Sequence, residues 1–97
     1  MNAQDFPGQW QALVRELIAA EARMYAPPET VTDGVTDIID ALDLVQANVH
    51  DGDSAKVTIF NLAMVAARAE RACAALLPKL KADDVAKLVL EYGEEAA

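Results

Sequence analysis

The chain has 97 residues, of which 54% are hydrophobic, and its 16 acidic and 8 basic side chains give a formal net charge of −8. A chain of this length fits one domain, and its hydrophobic content argues against disorder. The negative charge excludes nucleic acids and anionic membranes as expected partners, because both would repel the protein. We therefore expect one folded domain over residues 1–97.

The first predicted helix spans about residues 5–25. Asp5 is a suitable N-cap, and Pro7 falls in the first turn, where proline is tolerated. Apolar side chains then recur every three or four positions, which is typical of an amphipathic helix. The pair Pro27-Pro28 ends the helix, because Pro27 disfavours helical geometry at Ala26.

The second predicted helix spans about residues 30–49, and its start is open between Pro28 at the first helical position and Thr32 as N-cap. Gly34 argues against the earlier start, because glycine is a poor helix former. The predicted apolar face consists of Val35, Ile38, Ile39, Leu42, Val45 and Val49.

The third predicted helix spans about residues 54–77 and is capped by Asp53 or Ser54. Of its residues 57–77, only Thr58, Asn61, Arg68, Glu70 and Arg71 are not apolar. A helix that is apolar on nearly every side is usually central, and its surface exceeds what one small bundle can cover. We therefore expect a homodimer with twofold symmetry.

The fourth predicted helix is short, over about residues 83–92, with Gly93 as its C-terminal stop. The sequence thus predicts an all-α fold, a small antiparallel bundle of three long helices and a short C-terminal one. The predicted core or interface residues are Trp10, Leu13, Leu17, Ile38, Leu42, Phe60, Val65 and Leu76.

Residues 24–55 contain seven acidic side chains and no lysine or arginine. If the second helix begins early enough, Glu29, Asp33, Asp37 and Asp40 share one of its faces. Three hypotheses fit this face: a solvated surface, a docking surface for a basic protein, or a divalent-metal site. The other acidic residues of the segment are Asp43, Asp51 and Asp53.

The metal hypothesis leads to one family. Glu16 and Glu21 on the first helix, with Asp37 and Asp40 on the second, resemble the all-α nucleoside-triphosphate pyrophosphohydrolases of the MazG type. That resemblance implies carboxylates of two neighbouring helices that hold Mg²⁺ for nucleotide hydrolysis across a dimer. The two stretches differ from the family pattern, which begins with paired glutamates and has a glutamate before the second-helix aspartate. We therefore expect no metal and no cofactor.

Other polar residues have structural interpretations. His50 lies at a helix end, where the helix dipole favours a cation. Cys73 lies among alanines and is expected to be a small buried residue. Arg68 and Arg71 share a helix face, where we expect them to pair with carboxylates of another helix. A single cysteine forms no intrachain disulfide, which is compatible with a reducing cytoplasm.

The sequence favours a non-enzymatic protein that acts by binding another protein, as a regulatory, accessory or inhibitor-type factor of a bacterium or phage. The acidic face Glu29, Asp33, Asp37 and Asp40 is the predicted binding site for a basic protein. Two alternatives remain: the nucleotide hydrolase assembled across a dimer, and a structural helical subunit. The N-terminus lacks the basic and apolar regions of a signal peptide, so we expect a cytoplasmic protein.

Overall fold

The computed structural model describes residues 3–50, 52 and 54–96, and within these ranges it contains four α-helices and no strand. The all-α prediction is therefore confirmed. The helices are α1 (Phe6–Met24), α2 (Val31–His50), α3 (Ala55–Cys73) and α4 (Asp84–Ala96), with short 3₁₀ turns at Ala3–Asp5 and Leu77–Lys79. In the described chain, no helix is long and apolar enough to cross a membrane.

Local sequence explains most of the helix ends. Ser54 caps α3, since its hydroxyl accepts a hydrogen bond from the Val57 amide, whereas the alternative cap Asp53 lies outside the described residues. The Thr30 hydroxyl accepts a hydrogen bond from the Asp33 amide in the same way. The helix α2 therefore begins at Val31, between the two alternative starts and next to the predicted bound at residue 30. Asp5 makes no side-chain capping bond.

The C-terminal part departs from the sequence prediction. The helix α3 ends at Cys73 instead of continuing to residue 77, and hydrogen-bonded turns lead into the 3₁₀ turn that contains Pro78. The helix α4 runs through Gly93 to Ala96, so Gly93 is not its stop. Glycine lowers the stability of a helix but can still occur within one. An added β-carbon at Gly93 would contact nothing within 4 Å, so no neighbouring group forces the helix to end there.

The helix α3 is central, as predicted, and both α1 and α2 pack against it. Glu21, near the end of α1, pairs with Arg68 and Arg71 near the end of α3, so α1 and α3 run parallel. Gly34, near the start of α2, meets Ala72 near the end of α3, so these two helices run antiparallel. The topology is up-down-up.

Alanine and glycine let the helices approach closely. Between α1 and α3 the buried cluster contains Val14, Leu17, Ala63 and Ala67, and both alanines are fully inaccessible. A β-carbon added to Gly34 would lie 2.6 Å from the Ala72 β-carbon. Small residues at these positions replace the interlocking of large side chains, and no large side chain of the described residues is fully buried.

The predicted apolar face of α2 is wrong for four of its six residues. The side turned to α3 follows alternating steps of four and three, and it contains Gly34, Ile38, Ala41, Val45 and Asn48. The other large side chains of the predicted apolar face are between 43% and 54% exposed, namely Val35, Ile39, Leu42 and Val49. We call these four residues the apolar stripe.

The predicted core is correct in part. Leu17 is buried, while Trp10, Leu13, Ile38 and Val65 are half-buried. Leu42, Phe60 and Leu76 are exposed at 46%, 45% and 37% of their surface, so they are not core residues of the single chain, and their place at an interface stays a prediction. Cys73 is also exposed, contrary to its predicted burial. The causes differ: Phe60 and Cys73 lie on parts of α3 that α1 and α2 leave open, Leu42 lies on α2 outside the side that faces α3, and Leu76 lies after the end of α3.

Candidate functional site

The best-defined polar feature is a cluster in which two arginines of α3 hold one glutamate of α1. Arg68 Nε lies 2.9 Å from Glu21 Oε1, and Arg71 Nη1 lies 2.8 Å from Glu21 Oε2. The Glu21 side chain is 8% exposed, that of Arg71 10% and that of Arg68 25%. We call these three residues the charge clamp; the sequence predicted that the arginines pair with another helix.

The charge clamp also binds backbone carbonyls of the flanking segments. Arg68 Nη1 donates to the Asp37 carbonyl oxygen of α2 at 3.0 Å. Arg71 Nη2 donates to the carbonyl oxygens of Tyr25 and Ala26, just after α1, at 3.1 Å each. The clamp therefore fixes the end of α1, the first half of α2 and the end of α3 relative to one another.

A cleft of about 310 Å³ lies over the clamp, between α1 and α2. Asp37 and Asp40 line it together with the three clamp residues, Tyr25 and Ala26. Three of the four residues of the hydrolase hypothesis, Glu21, Asp37 and Asp40, thus meet in one cleft. Glu16 is exposed and does not line it.

The clamp changes what the cleft can do chemically. Both carboxylate oxygens of Glu21 accept hydrogen bonds from guanidinium groups, so binding a metal would require Glu21 to leave its arginines. Among the described residues, no group of three or more His, Cys, Asp or Glu side chains is placed to hold a metal ion. The geometry is that of a structural ion-pair network, in contrast to the open carboxylate cluster that Mg²⁺ needs.

The predicted acidic face is partly assembled. Asp33, Asp37 and Asp40 follow one another along α2 at steps of four and three, and all three are exposed. We call these three residues the acidic edge. Glu29 lies before the first residue of α2, so it is next to this edge in sequence but outside the helix. Within the described ranges, no aspartate of the edge takes part in an ion pair.

One polar residue of the core was missed at the sequence level. Asn61 is only 5% exposed, and its Nδ2 has no hydrogen-bond partner in the part of the chain that the structure describes. It falls on the side of α3 that faces α2, four residues before Val65 and seven before Arg68. The sequence signal that could have identified it is an amide side chain within an otherwise apolar stretch of the third predicted helix. Burial without a partner costs stability.

Comparison with known proteins gives no functional assignment, because no protein family, curated protein or solved structure matches this chain. Its function therefore has to be inferred from the surfaces described above.

Proposed function

We propose that this protein is a non-enzymatic binding factor that docks a basic protein on the acidic edge of α2. The observation that carries the proposal is the exposure of Asp33, Asp37 and Asp40 on one side of a helix that contains no lysine or arginine. Neighbouring like charges on a helix destabilise it by a few tenths of a kcal/mol per pair. Acidic residues spread over the surface would give the same solubility without this cost.

The position of the acidic edge supports recognition of a folded or helical partner. The charge clamp anchors α2 through the Asp37 carbonyl, so the three carboxylates lie on a rigid backbone. A rigid row of like charges produces a local field that attracts a basic surface and speeds association. Such binding weakens as salt is added, because the charges are exposed.

A charge-matched pair of variants tests this function. The edge variant carries Glu29→Gln, Asp33→Asn, Asp37→Asn and Asp40→Asn. The control carries Asp5→Asn, Glu16→Gln, Glu70→Gln and Glu91→Gln, which are exposed acidic residues outside α2. Both variants lose four negative charges. We expect the edge variant to fold at least as stably as the parent, because repulsion along α2 is removed.

Capture from the native host, read by quantitative mass spectrometry, separates the two variants. The parent and the control should retain the same basic protein, and the edge variant should lose it or bind it with a much smaller salt dependence. If the edge variant and the parent capture the same amount of the basic protein, the acidic edge is only a solvated surface and the proposal is wrong. Equal loss in both variants would show that total charge, and not the edge, governs binding.

The proposal includes a dimer as the acting species and a reducing compartment such as the bacterial cytoplasm. The lone cysteine supports the compartment, and Cys73 is exposed, which in an oxidising compartment would favour intermolecular disulfides. A structural subunit would use its surfaces only for assembly, so it would not need the acidic edge to bind a second kind of protein. The edge variant distinguishes these two functions.

A further inference from the structure

The most unusual surface of the molecule is its C-terminal helix. Along α4, apolar side chains recur at steps of three, one and three and form one face, which consists of Val85, Leu88, Val89 and Tyr92. All four are between 52% and 65% exposed. Within the described chain, α4 makes at most a marginal contact with α1, α2 or α3. We call these four residues the α4 face.

A second uncovered apolar surface lies on the three-helix body. The apolar stripe of α2 is rotated away from the acidic edge, since Leu42 and Asp40 differ by about 160° around the helix axis. Leu62 of α3 is 42% exposed and lies about 180° around its helix from Arg71. The stripe and Leu62 therefore share the face of the body opposite the charge clamp.

A groove continues this face between α1 and α3. A cleft of about 420 Å³ has an apolar part lined by Trp10, Val14, Ala66 and Ala69, and a polar rim that consists of Gln11, Arg15 and Glu70. Ala69 lies two helical turns after Leu62, so the cleft opens on the same side of α3. The combined surface, from the apolar stripe through Leu62 to this cleft, is here called the receiving face.

The size of the chain shows how much surface remains to be covered. The accessible surface is 7337 Å² for a mass of 10.4 kDa. A compact monomer of that mass exposes about 5,400 Å². The excess of roughly 1,900 Å² is more than the ~800 Å² that each partner buries in a standard interface. The radius of gyration agrees, at 15.3 Å against about 12.5 Å for a compact chain of this length.

We propose that two copies of this chain exchange their C-terminal helices, so that the α4 face of each copy packs on the receiving face of the other. Such an exchange is isologous and closes as a twofold dimer. It covers the two uncovered apolar surfaces in one step. It also covers the side of α3 that contains Leu62, on which no helix of the same described chain packs.

The connection before α4 explains why a second copy, and not the same chain, occupies the receiving face. From Ala74 to Leu80, successive backbone amides donate to carbonyls three residues earlier, with few interruptions. The Lys81 amide then donates to Asp84 Oδ2 at 2.7 Å, which ties the connection to the first residue of α4. In this arrangement the ordered segment holds α4 away from its own body, and exchange keeps all of these bonds.

Charge disfavours the simplest alternative dimer. Pairing of the apolar stripe with its own copy would bring two α2 helices together, and α2 has four aspartates but no lysine or arginine. Residues 79–92 contain three lysines and three acidic residues. A neutral segment approaches an acidic helix without that repulsion. The weaker charge repulsion therefore favours a contact between α4 and α2 over a contact between two α2 helices.

Two matched leucine pairs test the exchange. Leu88 belongs to the α4 face, whereas Leu90 is 68% exposed and points about 160° away on the same helix. Leu42 belongs to the receiving face, whereas Leu44 is 50% exposed on the other side of α2. We expect the parent to sediment at twice 10.4 kDa at micromolar concentration. Leu88→Glu or Leu42→Glu should raise the dimer dissociation constant at least about tenfold, and Leu90→Glu or Leu44→Glu should not.

Mixing the two disruptive variants decides the mode of pairing. A Leu88→Glu chain keeps an intact receiving face, and a Leu42→Glu chain keeps an intact α4 face, so together they can form one native contact. Native mass spectrometry of an equimolar mixture, with one variant labelled with nitrogen-15, should show clearly more heterodimer than random pairing gives, which is about twice the amount of each homodimer. An α4-to-α4 dimer would leave Leu42→Glu unaffected, which would overturn the exchange.

The remaining outcomes also decide the proposal. If the parent chain is monomeric at micromolar concentration, the exchange is overturned. This outcome is independent of how the edge variant affects capture of a basic protein. Equal effects of Leu88→Glu and Leu90→Glu overturn it as well, because they would indicate nonspecific association. Since α4 makes at most a marginal contact with the rest of the described chain, Leu88→Glu should leave the thermal unfolding of the three-helix body unchanged when both proteins are diluted until the parent is also monomeric.

Discussion

Replacing Glu21 with alanine should lower the free energy of unfolding by about 3–5 kcal/mol, because it leaves two partly buried guanidinium groups without their counter-ion. Both Glu21 oxygens accept from arginines, and the Arg71 side chain is only 10% exposed. Chemical denaturation in urea measures the loss. For a chain this small, such a loss is a large fraction of the whole stability.

The matched control is the exposed pair between Asp83 and Lys87. Their charged atoms are 3.2 Å apart, comparable to the clamp, but the side chains are 62% and 67% exposed. Water already solvates both charges there, so Asp83→Ala should cost no more than about 0.5 kcal/mol. Equal losses at Glu21 and Asp83 would show that the clamp is solvated and does not hold α1 to α3.

A conservative change separates charge from geometry. Arg71 binds Glu21, the Tyr25 carbonyl and the Ala26 carbonyl through two nitrogens of one planar group. Lysine keeps the charge but has a single nitrogen, which cannot reach all three acceptors. We therefore expect Arg71→Lys to recover only part of the stability lost in Arg71→Ala. Full recovery would mean that the two carbonyl contacts contribute nothing.

Helix existence was predictable from the sequence, because it depends on spacing within about ten residues. The steps of three and four placed all four helices, and Ser54 and the two prolines at 27 and 28 supplied visible ends. The end of α3 at Cys73 was not predictable in this way. The alanine-rich residues beyond it are good helix formers, and the break depends on the turns that lead to Pro78.

The side of α2 that faces α3 was not predictable, because two different stripes compete on that helix. Large apolar side chains mark one stripe, and the two small buried residues Gly34 and Ala41 mark the other. The sequence prediction selected the stripe of large side chains, because large apolar residues give the stronger periodic signal. Close packing against the alanines of α3 requires the stripe of small residues instead. Four large residues of α2 remain on the surface, where the exchange proposed above would cover them.

The candidate site was predictable in its parts and not in its arrangement. Charge segregation identified Asp33, Asp37 and Asp40, and the spacing of Arg68 and Arg71 predicted a shared face. That Glu21 accepts from both arginines depends on the parallel packing of α1 and α3, and Glu21 and Arg68 are 47 residues apart in sequence. Local spacing carries no information about such a pairing.

Gly34→Ala should destabilise the protein by about 1–3 kcal/mol, although alanine is the better helix former. The added β-carbon would lie 2.6 Å from the Ala72 β-carbon and 2.9 Å from its α-carbon. The second of these is backbone, so a side-chain rotation cannot relieve the clash, and α2 must move away from α3. That movement would also lengthen the 3.0 Å bond from Arg68 to the Asp37 carbonyl.

Gly8→Ala is the matched control, because Gly8 lies in α1 with nothing within 4 Å of an added β-carbon. Here the propensity gain is unopposed, and the variant should be more stable than the parent by up to about 1 kcal/mol. The same substitution thus changes sign between two helical glycines, and urea unfolding of both variants measures it. A gain at Gly34 equal to that at Gly8 would show that α2 and α3 are farther apart in solution, and that Gly34 is not what sets their distance.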